Sequence, residues 1–190
     1  MKSASRLSFL LLLALLAACK PTPDPNPLPT KPAAKVEAPP IATPAPDKKP
    51  EFPTLVVETF DGGKFDLKDH RGKWVVVNFW ATWCNPCLKE IPDLDAMDKA
   101  RDDVQVIGLA YEEIERADMV AFLKDHPMSY PIAVVDVYEP PADFDTPRGL
   151  PMTYLIAPDG KVAARHLGPV TSEELLKDIE AAGTKAVPTT

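Results

Sequence analysis

Trp74-Val75-Val76-Val77-Asn78-Phe79-Trp80 runs straight into Ala81-Thr82-Trp83-Cys84-Asn85-Pro86-Cys87, and the join between these two stretches decides the fold. The first seven residues are almost continuously apolar, the pattern of a strand covered on both faces. Beyond the join, Cys87, Ile91, Leu94 and Met97 recur at a spacing that predicts a helix from about Asn85 to Ala100. Pro86 lacks an amide donor and suits a first helical turn, whereas Pro92, inside the helix, removes a bond to the Leu88 carbonyl and predicts a kink. Free N–H groups and the positive end of the helix dipole gather where a helix starts, and both stabilise an anion. Cys84 is therefore predicted to ionise readily; thiols so placed fall from about 8.5 to ~3.5–7.5. Cys87 lies one turn deeper on the same face. The pair can close a short disulfide, with the outer sulfur expected to be exposed and the inner one shielded.

Two other uses of such a pair compete with redox chemistry. A structural disulfide would close only a tiny loop and contribute little through chain entropy. A zinc site would need two more ligands, and His70, His126 and His166 have no ligand-like spacing. The redox reading is favoured, and no metal or cofactor is expected.

Working outward, Thr54 to Phe60 and Lys64 to Leu67 flank Asp61-Gly62-Gly63, a turn that tolerates positive φ, and so predict a hairpin. Val104 to Ala110 and Ile132 to Val137 read as two further buried strands, with a helix around Met119, Val120, Phe122 and Leu123 between them. A Pro- and Asp-rich loop spans Tyr138 to Leu150. Met152 to Ala157, the turn Pro158-Asp159-Gly160 and Val162 to Leu167 predict a second hairpin. In the last helix Thr171 and Glu174 make a capping box, Leu175, Leu176 and Ile179 the buried stripe, and Gly183 a terminator. Strand–helix alternation followed by a hairpin and a helix is an α/β sheet with mixed strand directions.

The rest of the chain is of another kind. Of 23 prolines, twelve fall between Pro21 and Pro53. Such a segment cannot bury enough apolar surface to offset ordering entropy, so residues 19–51 read as a disordered or polyproline-like linker and 186–190 as a flexible tail. At ~3.1 Å per residue a polyproline stretch of this length reaches up to ~100 Å. Ahead of it, Lys2 and Arg6 precede an apolar run from Leu7 to Ala18, too short to span a bilayer and suited to a signal-peptide core, residues 1–18. Its end, Leu16-Ala17-Ala18-Cys19, resembles a bacterial lipoprotein signal, which implies a lipid-modified Cys19 and a stable membrane anchor. The residue after Cys19 is Lys20 rather than an Asp, which by analogy with enteric bacteria favours the outer membrane over the inner. The 190 residues carry 21 basic and 28 acidic side chains, a formal charge of −7. Residues 1–53 hold seven basic and four acidic side chains, +3, which leaves −10 for residues 54–190. An acidic domain of this kind is not a nucleic-acid binder, which needs a basic stripe to neutralise phosphates.

Val77 to Cys87 resembles the signature of the TlpA/ResA-like thioredoxin family, membrane-tethered thiol–disulfide oxidoreductases. Leu150-Pro151-Met152-Thr153-Tyr154-Leu155-Ile156 resembles that family's later proline segment, and Ala110 to Val137 its extra strand and helix. The resemblance covers Phe52 to about Ala182 and implies a thioredoxin-like domain over 52–185: a mixed central sheet flanked by helices, with an N-terminal hairpin and a central strand–helix insert. It implies that Cys84 and Cys87 are the catalytic dithiol, and that Pro151 is cis and faces them. Trp83, Asn85, Pro86, Leu150 and Pro151 are then the candidates for positioning a substrate. It further implies that Glu90 exchanges a proton with the buried thiol, although by sequence alone Glu90 reads as a solvent-facing helix residue.

These features together predict a periplasmic, membrane-anchored enzyme of thiol–disulfide exchange through a mixed disulfide; the residues leave its direction open, and the resemblance implies that it reduces protein disulfides. Its expected partners are a disulfide-bearing periplasmic protein and a membrane-side thiol electron donor. A peroxiredoxin-like thiol peroxidase is the alternative enzyme, distinguished by peroxide turnover. A non-catalytic lipoprotein adaptor is the other alternative, distinguished by function retained in a Cys84→Ser/Cys87→Ser variant.

Overall fold

A computed structural model describes residues 49–185. The signal peptide, Cys19, residues 20–48 of the linker and the 186–190 tail lie outside the described residues. In chain order the elements are β1 (Val56–Glu58), β2 (Lys64–Asp66), a 3-10 turn (Leu67–His70), β3 (Trp74–Trp80), α1 (Asn85–Ala100), β4 (Val104–Tyr111), α2 (Arg116–Asp125), β5 (Ile132–Val135), β6 (Met152–Ile156), β7 (Val162–Leu167) and α3 (Ser172–Lys185). β1 and β2 form a separate antiparallel hairpin, closed by Gly62 at φ +88°. The other five strands make one sheet ordered β5-β4-β3-β6-β7, in which β3, β4 and β5 run parallel, β6 pairs antiparallel with β3, and β7 pairs antiparallel with β6. This is the mixed α/β sheet that the sequence predicts.

The most apolar strand takes the central place, as it must to be covered on both faces. Alternation along β3 divides the core. Val75, Val77 and Phe79 face the hairpin, the 3-10 turn and Phe144 of the long loop, while Val76 and Trp80 face α1, α2 and α3. α1 closes the second layer with Cys87, Glu90, Ile91, Leu94 and Met97 turned inward, and runs through Pro92 without a break. The chain engages the domain before β1: the Glu51 carbonyl accepts from Val162 N–H at 2.9 Å, and Lys49 Nζ donates to the Ala142 carbonyl at 2.9 Å.

The capping box forms as read, with Glu174 N–H donating to Thr171 Oγ1 at 3.2 Å and Thr171 N–H to Glu174 at 2.9 Å. Three expectations need correction. α3 continues through Gly183 to Lys185, and Gly183 is not among the glycines with positive φ, so it does not act as a left-handed cap. β5 ends at Val135 rather than Val137, and Val134 is exposed, because β5 is an edge strand with one face only partly covered. The first strand is confined to Val56–Glu58, since Thr59 already belongs to the turn, its N–H donating to the Gly63 carbonyl at 2.9 Å.

Candidate active site

Ala81 to Trp83 carry the chain from the end of β3 to the start of α1, and two sets of bonds fix this turn. Cys84 N–H donates to the Ala81 carbonyl at 3.1 Å. Thr82 gives its N–H and its hydroxyl to the Glu112 carboxylate, at 2.7 and 2.9 Å, just beyond β4. Cys84 is thereby set as the N-cap of α1, and its Sγ accepts the Cys87 N–H at 3.3 Å. The position normally filled by a serine or aspartate oxygen is filled by sulfur. No acidic residue occupies the first turn of α1, so nothing there offsets the positive end of the helix.

Cys84 and Cys87 are joined as a disulfide, with 5.2 Å between their Cα atoms. The expectation of an exposed outer sulfur is not met in this form: Cys84 is only 4% exposed and Cys87 fully buried. What stands out to solvent is the rim. Trp83 is 67% exposed, and Asn85 and Pro86 are exposed beside it. Ordinary packing therefore does not explain Trp83, whereas Trp80 is core. The Leu150–Pro151 peptide bond is cis, Pro151 is buried and Leu150 half-buried. Trp83 and Leu150 line one open groove of about 510 Å³, together with Tyr111, Glu112, Val137 and Arg148.

Glu90 departs from its solvent-facing reading. It is 4% exposed, on the inward stripe of α1 one turn beyond Cys87. One carboxylate oxygen accepts from Asn78 Nδ2 at 2.8 Å and the other from Val170 N–H at 2.8 Å. Burial pushes its pKa up to about 7, against the opposing pull of the two hydrogen bonds. The bonding partners thus come from β3 and from the loop ahead of α3. Asn78 Nδ2 also donates to Thr153 Oγ1 at 2.9 Å, across the β3–β6 pair in which the two residues stand opposite each other.

Asn78, Thr153 and Glu112 receive no role from the sequence reading. Asn78 carries a signal, as the lone amide in an otherwise apolar central strand. Glu90 does too: it lies three residues from Cys87 and four from Leu94, inside the very stripe that defines the helix. Nothing in the sequence marks Glu112. Among the described residues no group of three or more His, Cys, Asp or Glu could hold a metal ion. Chemically, the arrangement offers an N-capping sulfur, a deeper sulfur joined to it, and a buried carboxyl able to exchange a proton near neutral pH.

Comparison with known proteins points the same way. A model of the AhpC/TSA family matches residues 43–165. The thiol-disulfide oxidoreductase ResA of a Bacillus cereus strain is 36% identical over 127 residues, 66% of this chain and 72% of that protein. A thiol:disulfide interchange protein of the thioredoxin family from Chlorobium tepidum superposes with a TM-score of 0.59 at 26% identity, covering 73% of this chain and 99% of that one. The exposed lipoprotein thioredoxin of Streptococcus pneumoniae gives a TM-score of 0.55 at 26% identity, covering 67% and 98%.

Proposed function

This chain belongs to the AhpC/TSA family, as a TlpA/ResA-like thiol–disulfide oxidoreductase of thioredoxin fold, and from that premise we propose that it reduces protein disulfides in the periplasm while tethered to a bacterial membrane through a lipid on Cys19. The observation that carries the chemistry is the Cys84–Cys87 disulfide with Cys84 Sγ at the N-cap of α1. Opening that bond leaves Cys84 sulfur facing the Cys87 N–H at the start of a helix whose first turn carries no acidic residue, which favours the thiolate.

The cycle balances as thiol–disulfide exchange. Cys84 thiolate attacks one sulfur of a substrate disulfide; the substrate S–S bond breaks, a Cys84–substrate bond forms, and the first substrate thiolate leaves. Cys87 then gives its proton to Glu90 and attacks Cys84 sulfur. The Cys84–Cys87 bond forms, the mixed disulfide breaks, and the second substrate thiolate leaves. Two electrons have passed to the substrate, and a membrane-side thiol donor returns them. Exposed Trp83, Asn85 and Pro86, with Leu150 in the same groove as Trp83 and the cis Pro151 next to it, position the substrate chain. The leader ending at Ala18, just before Cys19, supports the lipid anchor, and the likeness to a protein named as an exposed lipoprotein thioredoxin is consistent with it.

Cys87→Ser removes the resolving thiol and should stall substrates on Cys84, to be recovered as mixed disulfides by mass spectrometry. Absence of any Cys84-linked polypeptide would contradict the mechanism. Equilibration with glutathione tests the direction: a reductant should poise well below about −120 mV, the value of a strong oxidant.

A further inference from the structure

Asn78 occupies the centre of the sheet, in a strand whose other side chains are all aliphatic or aromatic. It is fully buried between Gly108 of β4 and Thr153 of β6, and its Oδ1 has no hydrogen-bond partner among the described residues. An unpartnered buried acceptor loses its water without a replacement and destabilises a fold, so packing does not account for an amide here. Its Nδ2 does find partners, and they are specific. One bond goes to Glu90 at 2.8 Å, the other to Thr153 Oγ1 at 2.9 Å. The Glu90 carboxylate, which only accepts when ionised, fixes which end of the amide faces it, and the Thr153 hydroxyl anchors the amide by accepting from the same nitrogen. With the amide reversed, Oδ1 would confront the Glu90 carboxylate, oxygen against oxygen.

We propose that Asn78, anchored by Thr153, is a positioning residue that holds the Glu90 carboxyl and sets the pH at which it exchanges its proton. The role in turnover rests on the reading of Glu90 as proton acceptor for Cys87; the hold on the carboxyl itself does not. Both donors to Glu90, Asn78 Nδ2–H and Val170 N–H, favour the ionised form and oppose burial. The other groups facing this layer are accounted for. Cys87 is held in the disulfide, and burial pushes the Tyr130 phenol up, with smaller contributions from the charges of Asp95, Glu90 and Asp98. On the neighbouring elements Asp93 accepts from Ser172, and His166 of β7 pairs with Asp178 of α3. Asn78 is thus the one side chain that bonds to Glu90 among the described residues.

The test titrates Glu90 in the oxidised protein by infrared spectroscopy, following the carboxyl band that disappears in Glu90→Gln. Asn78→Leu should move the midpoint upward from about 7 by about 1 pH unit, since a donor to the charged form is lost. Thr153→Val should move it the same way by less, and Thr153→Ser should restore it, which keeps the test sound if Asn78→Leu fails to fold. An unmoved midpoint in Asn78→Leu, or in Thr153→Val where Asn78→Leu does not fold, overturns the proposal. The pH profile of disulfide exchange separates this from the reading beneath it. A shifted midpoint with a shifted profile supports both. A shifted midpoint with a profile that neither Asn78→Leu nor Glu90→Gln alters upholds Asn78 as the holder of Glu90 and sinks the proton-acceptor role.

Discussion

The two faces of β3 obey different rules although they belong to one strand. Toward the hairpin, Val75, Val77 and Phe79 meet an unbroken apolar layer, with Phe79 against the rings of Phe144 and Tyr154. Toward the helices, the alternate positions read Val76, Asn78, Trp80, and the layer above them contains a disulfide and a buried carboxyl. The first face is optimised for burial. The second accepts an unpartnered amide oxygen and a carboxyl pushed up to about 7, departures from good packing that gather around the cysteines. Chemistry has been placed on one side of the sheet, and stability is supplied from the other.

The sharpest way to break this contrast is to damage each face in turn. Cys84→Ser should abolish reduction of a protein disulfide such as that of insulin, while leaving a folded domain. Phe79→Ala should do the reverse, destabilising by about 3–5 kcal/mol in guanidinium unfolding, as large-to-small changes at a fully buried aromatic do, with exchange per folded molecule retained. If Phe79→Ala abolished exchange in protein that remained folded, the division between the faces would be wrong.

A smaller effect sharpens the same contrast through pH. Folded Glu90 keeps its proton up to about pH 7, whereas the unfolded chain releases it near 4.5. Between those values the folded state binds more protons, so stability is lost as pH rises through the window. The shift corresponds to about 3 kcal/mol. Glu90→Gln should therefore gain on the wild type by about that amount between roughly pH 4 and 8, in denaturant unfolding of the oxidised proteins. An equal pH dependence in the two would show that Glu90 ionises freely.

The smallest effect lies away from both faces. Thr171→Ala removes the N-cap of α3 and should lower stability by about 1 kcal/mol, with the exchange rate and its pH profile untouched.

What the sequence makes legible follows from how local each feature is. β3 and α1 begin and end where the apolar run, Pro86 and the helical stripe put them, because burial on both faces and capping are written into neighbouring residues. The Cys84 N-cap is legible for the same reason. β5 and Gly183 are less so: the edge position of β5 depends on strand order, and nothing local obliges Gly183 to end α3. Glu90 is the instructive case. Its spacing puts it on the buried stripe of α1, but the groups that accommodate a carboxyl there lie outside the helix, Asn78 twelve residues away and Val170 eighty residues away, so a reading by residue type sends it to solvent. The cis bond before Pro151 is read from family resemblance and from no local signal.

The most direct test of the central claim is the titration of Cys84 in the reduced protein, followed by thiolate absorbance and by the pH dependence of its alkylation in a Cys87→Ser background. A sulfur stabilised by the start of α1 should ionise with a midpoint below about 7.5, whereas free cysteine ionises near about 8.5. A midpoint at or above that of free cysteine would mean that the helix terminus does not activate Cys84.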